Sequence, residues 1–337
     1  MTNRIPRLWQ KQEMSLAGPN EPIEMWPVPG SLPMAPQKRV LEILGQGIIH
    51  GEFIHIHGET GTGKSGLLEA LTLVAENWKA LCEVQNTPYR PLKVFAIEMM
   101  IYETPGELYT QRAIVDGHTY DEESELIRAL REAASSVETH YPLIWLREMG
   151  RVHSSSVQGG LLNLITRGMI RLPDGQFMNG AGIAWVTDSN YNVEDTSTYT
   201  LVTLDDALSR RATINIPMNY FLPEEEVRII LNLMGEGHLP TLDHALVMKV
   251  VELGQAIRMQ RNQGNVLTVA PPTLYSYFAF LRLAHALPNL SVQEVANVTL
   301  IGSASPSDRE RLAGVFSEVF GLRKGRRADT LMGGDLL

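Results

Sequence analysis

Eight residues, GETGTGKS from Gly58 to Ser65, have the types and spacing to hold a polyanion. They fit G-x-x-x-x-G-K-[ST], the phosphate-binding loop. Gly58, Gly61 and Gly63 are expected to let the backbone curl tightly, so that successive N–H groups point inward at phosphate oxygens. Lys64 would reach the β- and γ-phosphates as a point charge. Ser65 would offer its hydroxyl to a Mg²⁺ ion that the same phosphates hold. The candidate cofactor contacts are therefore Gly58, Glu59, Thr60, Gly61, Thr62, Gly63, Lys64, Ser65 and Gly66, with Ser65 the candidate Mg²⁺ ligand.

A phosphate loop needs an acidic partner for the metal and a group that positions the attacking water. Both are expected at the end of an apolar strand. Leu143-Ile144-Trp145-Leu146 is such a strand, but Arg147-Glu148 follows it. Glu148 stands where a water-activating carboxylate belongs, or it caps or pairs with Arg151. Arg147 stands where an Asp is expected to order Mg²⁺, which reverses the local charge. A second polar strand end, Thr187-Asp188-Ser189-Asn190, offers groups for the γ-phosphate or the water, or merely turns the chain. Arg210 and Arg211 follow a short helix. An Arg offered across a subunit boundary stabilises transferring phosphoryl charge; the plainer reading is a solvated surface pair.

These groups need a scaffold. Phe53–His57 reads as a strand before the loop, and Ser65–Lys79 as one helix after it, with Leu67, Leu68, Leu71, Val74, Ala75 and Trp78 at helical spacing. Strand, glycine loop and helix together aim a helix N-terminus at an anion. Further strands are expected at Pro91–Ile97, Pro142–Leu146, Ala181–Thr187 and Ala212–Ile216, with Pro142–Leu146 buried on both faces. Helices are expected at Lys38–Ile49, Asp121–Ser136, Ser155–Arg167 and Leu204–Arg211, and a helix start at Thr104–Glu107. Pro173-Asp174-Gly175 joins two halves of a β-hairpin. Strands alternating with helices predict an α/β fold, a parallel sheet flanked by helices.

From Glu224 onward the pattern is helical only, over Glu224–Met234, Leu242–Gln263, Thr273–Leu287, Ser291–Leu300 and Ser307–Phe320. The expected organisation is an irregular Pro-rich arm at 1–36, an α/β nucleotide-binding domain at 37–222, an all-helical lid domain at 223–322, and a basic then acidic tail at 323–337. The arm either lies across a neighbouring subunit or is loosely ordered.

The chain has 337 residues, 44% hydrophobic and 20% charged, ordinary values for a globular protein. No apolar run approaches a membrane span, and MTNRIPRLWQKQE lacks a signal-peptide core. Cys82 stands alone, so no internal disulfide can form, and it is expected to be a small buried hydrophobe. The expectation is a cytoplasmic protein without membrane contact. A net charge of −9 disfavours a broad nucleic-acid surface, while Arg323, Lys324, Arg326 and Arg327 form one local basic cluster. His55 and His57 are read as strand residues, and Met99 and Met100 as core.

Four segments in order carry a resemblance: GETGTGKS, PLIWLREMGRVHSSSVQGGLLNLITRG, RLPDGQFMNGAGIAWVTDSN and LDDALSRRATINI. From about Lys38 to Leu287 the chain resembles an AAA+ ATPase of the MoxR-like branch that includes CbbQ, NorQ and GvpN. The resemblance implies ATP and Mg²⁺ as cofactors and a homo-oligomer, usually a ring of six, with ATP between neighbours. Lys64 and Ser65 would be the Walker A pair, Glu148 the Walker B glutamate, Asn190 or Ser189 the sensor 1 residue, and Arg210 the finger facing the next subunit's ATP. Glu103–His118 and the hairpin Arg171–Gly180 would line a pore or face a client. The partner implied is a client protein or a protein with a von Willebrand factor A domain.

The chain departs from the family at Arg147, at Thr273, where the sensor 2 Arg belongs, and in its N-terminal arm. Three functions follow as expectations: an ATPase that remodels a partner, a nucleotide-gated scaffold with little hydrolysis, and a DNA-associated AAA+ protein. The scaffold reading expects Arg147→Asp to raise the hydrolysis rate.

Overall fold

The computed structural model describes residues 23–115, 118–149, 152, 154–165, 169–172, 174–190, 206–265 and 268–321. In chain order the first elements are α1 (Lys38–Ile49), β1 (Phe53–Gly58), α2 (Lys64–Leu73), α3 (Ala75–Val84), β2 (Leu92–Glu98), β3 (Thr110–Val115) and β4 (His118–Glu123). Then come α4 (Glu125–Ser136), β5 (Tyr141–Arg147), α5 (Ser155–Leu164), β6 (Met169–Arg171), β7 (Phe177–Asn179), β8 (Ala184–Asn190), α6 (Asp206–Arg211) and β9 (Ile214–Met218). The chain divides into two compact units, one holding Met25–Glu59 and Gly63–Asn219, the other Thr60–Thr62 and the residues from Tyr220 onward.

The first unit is α/β. Its sheet has five strands in the order β2-β5-β8-β1-β9, and every pairing is parallel. Side chains alternate across the sheet, as the two-residue period of a strand requires. Leu143 and Trp145 of β5 join one core with Leu67, Leu68 and Leu71 of α2 and Leu44 of α1. Ile144 and Leu146 join the other, with Leu126 and Leu130 of α4 and Leu161 of α5. Tyr141 to Leu146 are all buried, as a strand covered on both faces must be.

Several local expectations are corrected. The helix after the glycine loop is two helices, because Val74 is extended (φ −121°, ψ 103°). Asn77 Nδ2 donates to the Ala70 carbonyl at 2.7 Å, satisfying an acceptor that the break leaves without its helical donor. The expected helix from Asp121 begins at Glu125 instead. Asp121 and Glu122 pair with Arg112 and Gln111 in an antiparallel hairpin, and the Ser124 hydroxyl accepts from Ile127 N at 3.1 Å to start the helix. Thr104–Glu107 leads only into a 3₁₀ turn, Pro105–Leu108. The fourth sheet strand starts and ends three residues later than expected, so Asp188, Ser189 and Asn190 lie inside β8. The hairpin about Asp174-Gly175 is present as β6 and β7.

Met25–Pro36 does not stand apart from its own chain. Trp26 and Met34 exchange backbone hydrogen bonds at 2.8 and 2.9 Å, and Trp26 and Val28 are buried in the α2-side core. Cys82 is buried there too. Met99 is buried, but Met100 is 46% exposed, against the expectation that both are core.

The second unit contains α7 (Pro223–Gly235), α8 (His244–Asn262), α9 (Leu274–Ala286), α10 (Val292–Thr299) and α11 (Pro306–Val319), and no strand among the described residues. Asp243, Thr273, Ser291 and Ser305 cap four of these helices through side-chain oxygens. Inside this unit Arg258 and Glu226 form a buried ion pair at 2.8 Å. Gln255 and Tyr277 also donate to Glu226, and the Arg258 guanidinium lies 3.9 Å from the Tyr220 ring centroid. No described helix of either unit is long and apolar enough to cross a membrane.

Candidate functional site

The glycine loop leaves the C-terminal end of β1 and enters α2 at Lys64. Gly58 is the last residue of β1. Gly61 and Gly63 sit at φ +81° and +92°, in the left-handed region where a Cβ is strained. Gly63 is the N-cap of α2, so the N–H groups of the first helical turn face the loop.

Lys64 is buried, and its ammonium donates to the carbonyls of Gly58 at 3.0 Å and Glu59 at 2.8 Å. Burial pushes its pKa down to about 8, opposed by the charges of Asp188 and then Glu59. Ser65, one residue on, is exposed in the first turn of α2.

β8 lies beside β1, with Ile56 opposite Asp188, His57 opposite Ser189 and Gly58 opposite Asn190. Asn190 is thus level with the first loop residue. Ser189 and Asn190 point to opposite faces. Ser189 Oγ shares a 2.8 Å hydrogen bond with His55 Nε2, while Asn190 has the parity of Asp188, on the α2 side.

Sequence reasoning placed Asp188 in a polar strand end but gave it no role of its own. It is buried, and Oδ1 accepts from Trp145 Nε1 at 3.1 Å. Burial raises its pKa, while the Trp145 indole, the Glu148 backbone N–H and the Lys64 charge pull it down. One signal in the sequence could have found it. Ala184 and Val186 belong to the α2-side core, and two residues further the same parity reaches Asp188.

Arg147 and Glu148 part company at the end of β5. Arg147 pairs with Glu98 of β2 at 2.8 Å and with Glu69 of α2 at 3.7 Å, and lies 4.9 Å from the Trp145 ring. Glu148 is half-buried at φ +55°, an uncommon conformation for a residue with a side chain. Its backbone N–H lowers the Asp188 pKa.

His55 and His57 stack at 5.1 Å between ring centroids. Burial, then the neighbouring His57, pushes the His55 pKa down to about 4, with the Asn215 side chain opposing. Burial, then Lys64, also lowers that of His57.

Of two other expected residues, Thr273 lies against the loop, where a Cβ built on Gly61 would overlap its Cγ2, and Arg210 lies elsewhere. Arg210 is exposed at the end of α6, whose Leu208 belongs to the α4-side core. Thr273 is the N-cap of α9 and accepts from Ser276 N. Arg151 and the basic cluster at 323–327 lie outside the described residues.

Among the described residues no three His, Cys, Asp or Glu side chains form a self-sufficient metal site. The donors near the loop, a serine hydroxyl and a single buried carboxylate, suit a hard cation that takes its other ligands from phosphate and water. They fit Mg²⁺ carried on a nucleotide rather than a metal held by protein alone. No protein-family model matches this sequence, and no curated protein matches it.

Proposed function

We propose that this chain binds ATP with Mg²⁺ on the loop Gly58–Gly66 and uses it as an AAA+-like ATPase that remodels, or assembles with, a protein partner. The observation that carries the nucleotide reading is the pairing of two left-handed glycines with Lys64, whose ammonium rests on the two carbonyls at the base of the loop. A phosphate chain that takes over this ammonium replaces two neutral acceptors with an anion, a stronger partner. The N–H groups at the start of α2 add their partial positive charge. Lys64, Ser65 and the glycines would hold the phosphates and metal, Glu148 would orient water, and Asn190 would sit by the γ-phosphate. The exposed Arg210 would serve a neighbouring copy in a ring, and the partner would be a client protein or one with a von Willebrand factor A domain.

Calorimetric titration with ATP and magnesium tests this. Wild type is expected to bind, and Lys64→Ala to lose binding while keeping its circular dichroism spectrum. Equal affinity in both ends the proposal. Turnover is expected to vanish in Glu148→Gln with binding retained.

A specific observation favours a second reading, the nucleotide-gated scaffold. Arg147 pairs with Glu98 and Glu69, so the strand end that should order the metal instead carries a paired cation. Slow turnover with ATP-dependent assembly, seen by light scattering, would mark this variant.

A further inference from the structure

Read on β5 alone, the site has lost its metal-ordering acid. The sheet order changes that reading. β5 is not the neighbour of β1; β8 lies between them. Leu146 pairs with Thr187, so Arg147 and Asp188 each stand one residue beyond a paired position, on adjacent strands. Asp188 in turn lies opposite Ile56, two residues before the loop begins. A carboxylate therefore stands one strand closer to the loop than the expected position, and on the face that carries α2.

We infer that Asp188 is the carboxylate that orders the Mg²⁺ of the bound nucleotide, in place of the acid that Arg147 has displaced from β5. This rests on the proposal that the loop binds nucleotide.

Two arrangements support it. Asp188 is held from behind by two donors, the Trp145 indole at 3.1 Å and the Glu148 N–H. An ionised carboxylate has about four lone-pair sites, so two remain for a metal or its water. Arg147, which would repel a cation, is drawn off by Glu98 and Glu69. Mg²⁺ keeps several of its waters, so a carboxylate buried behind the loop can serve it through one of them.

The test separates this inference from the reading beneath it. Affinity for a non-hydrolysable ATP analogue is measured with magnesium and with EDTA, in wild type and Asp188→Asn. Wild type is expected to gain affinity from magnesium. Asp188→Asn is expected to keep its EDTA affinity and to lose roughly 10- to 100-fold of the magnesium gain. A variant that keeps the full gain, or a wild type that binds with no gain, overturns the role of Asp188 and leaves nucleotide binding standing. Failure of wild type to bind under either condition overturns both.

Should Asp188→Asn not fold, Trp145 supplies the second readout. Its indole bonds the same carboxylate, so magnesium added to the nucleotide complex should change the fluorescence of wild type but not of Trp145→Phe. Identical responses in the two proteins overturn the inference.

Discussion

Arg147 and Glu98 lie opposite each other on paired strands, and their side chains meet at 2.8 Å. Glu69 of α2 approaches the same guanidinium at 3.7 Å. Arg147→Asp is therefore not expected to create a metal site. It sets a third carboxylate against two others on a surface about a third exposed. A loss of about 1 kcal/mol of stability is expected, discounted for solvent screening, with no gain in hydrolysis. Arg147→Met should be milder, since it removes the ion pair without adding repulsion. Denaturant melts of both variants check this.

Binding should weaken in alkali. The Lys64 pKa, held down to about 8 by burial, places its loss of charge within reach of ordinary buffers. Below that value the ammonium is charged and available to phosphate. Above it, affinity should fall by up to about tenfold per pH unit, the proportion in which the charged form declines. The bound anion should raise this pKa, so complex formation near pH 8 should take up protons. Titration in buffers of differing ionisation enthalpy measures that uptake.

Stability should decline on mild acidification. His55 has a pKa near 4 in the fold and about 6.5 when unfolded. The unfolded chain then binds more protons throughout that interval, so the stability gained from a neutral His55 is complete above pH 6.5. It drains away as pH falls toward 4, by at most roughly 3 kcal/mol. His55→Gln, which keeps a donor near Ser189, should flatten this part of the pH–stability curve.

The helical unit carries its own vulnerability. Arg258→Ala leaves Glu226 buried without its cation, and a loss of about 3–5 kcal/mol is expected. Burial already raises the Glu226 pKa, and Arg258 is the largest opposing influence. The double change Arg258→Met with Glu226→Leu should recover most of the loss, because it removes both charges together. Chemical denaturation followed by the far-ultraviolet signal tests both.

The five sheet strands and the five later helices were legible because each is a sustained apolar run with one period. What escaped was decided by partners distant in sequence. Asp121–Glu123 reads as helix by composition, yet Thr110–Arg112 recruits it into a hairpin. Val74 fits the helical stripe, yet the chain extends there and Trp78 buries itself on the following helix. At the site, the loop was plain from spacing alone. Asp188 was not, because its value depends on β8 lying next to β1, an order that no local pattern records.

The bridge between Trp26 and Met34 sets a limit on trimming. A recombinant fragment started at Lys38 would open a hole where the Trp26 indole and Val28 fill the layer beneath α1 and α2. Such a fragment would give sticky, poorly soluble material, and the smallest workable version should begin ahead of Met25.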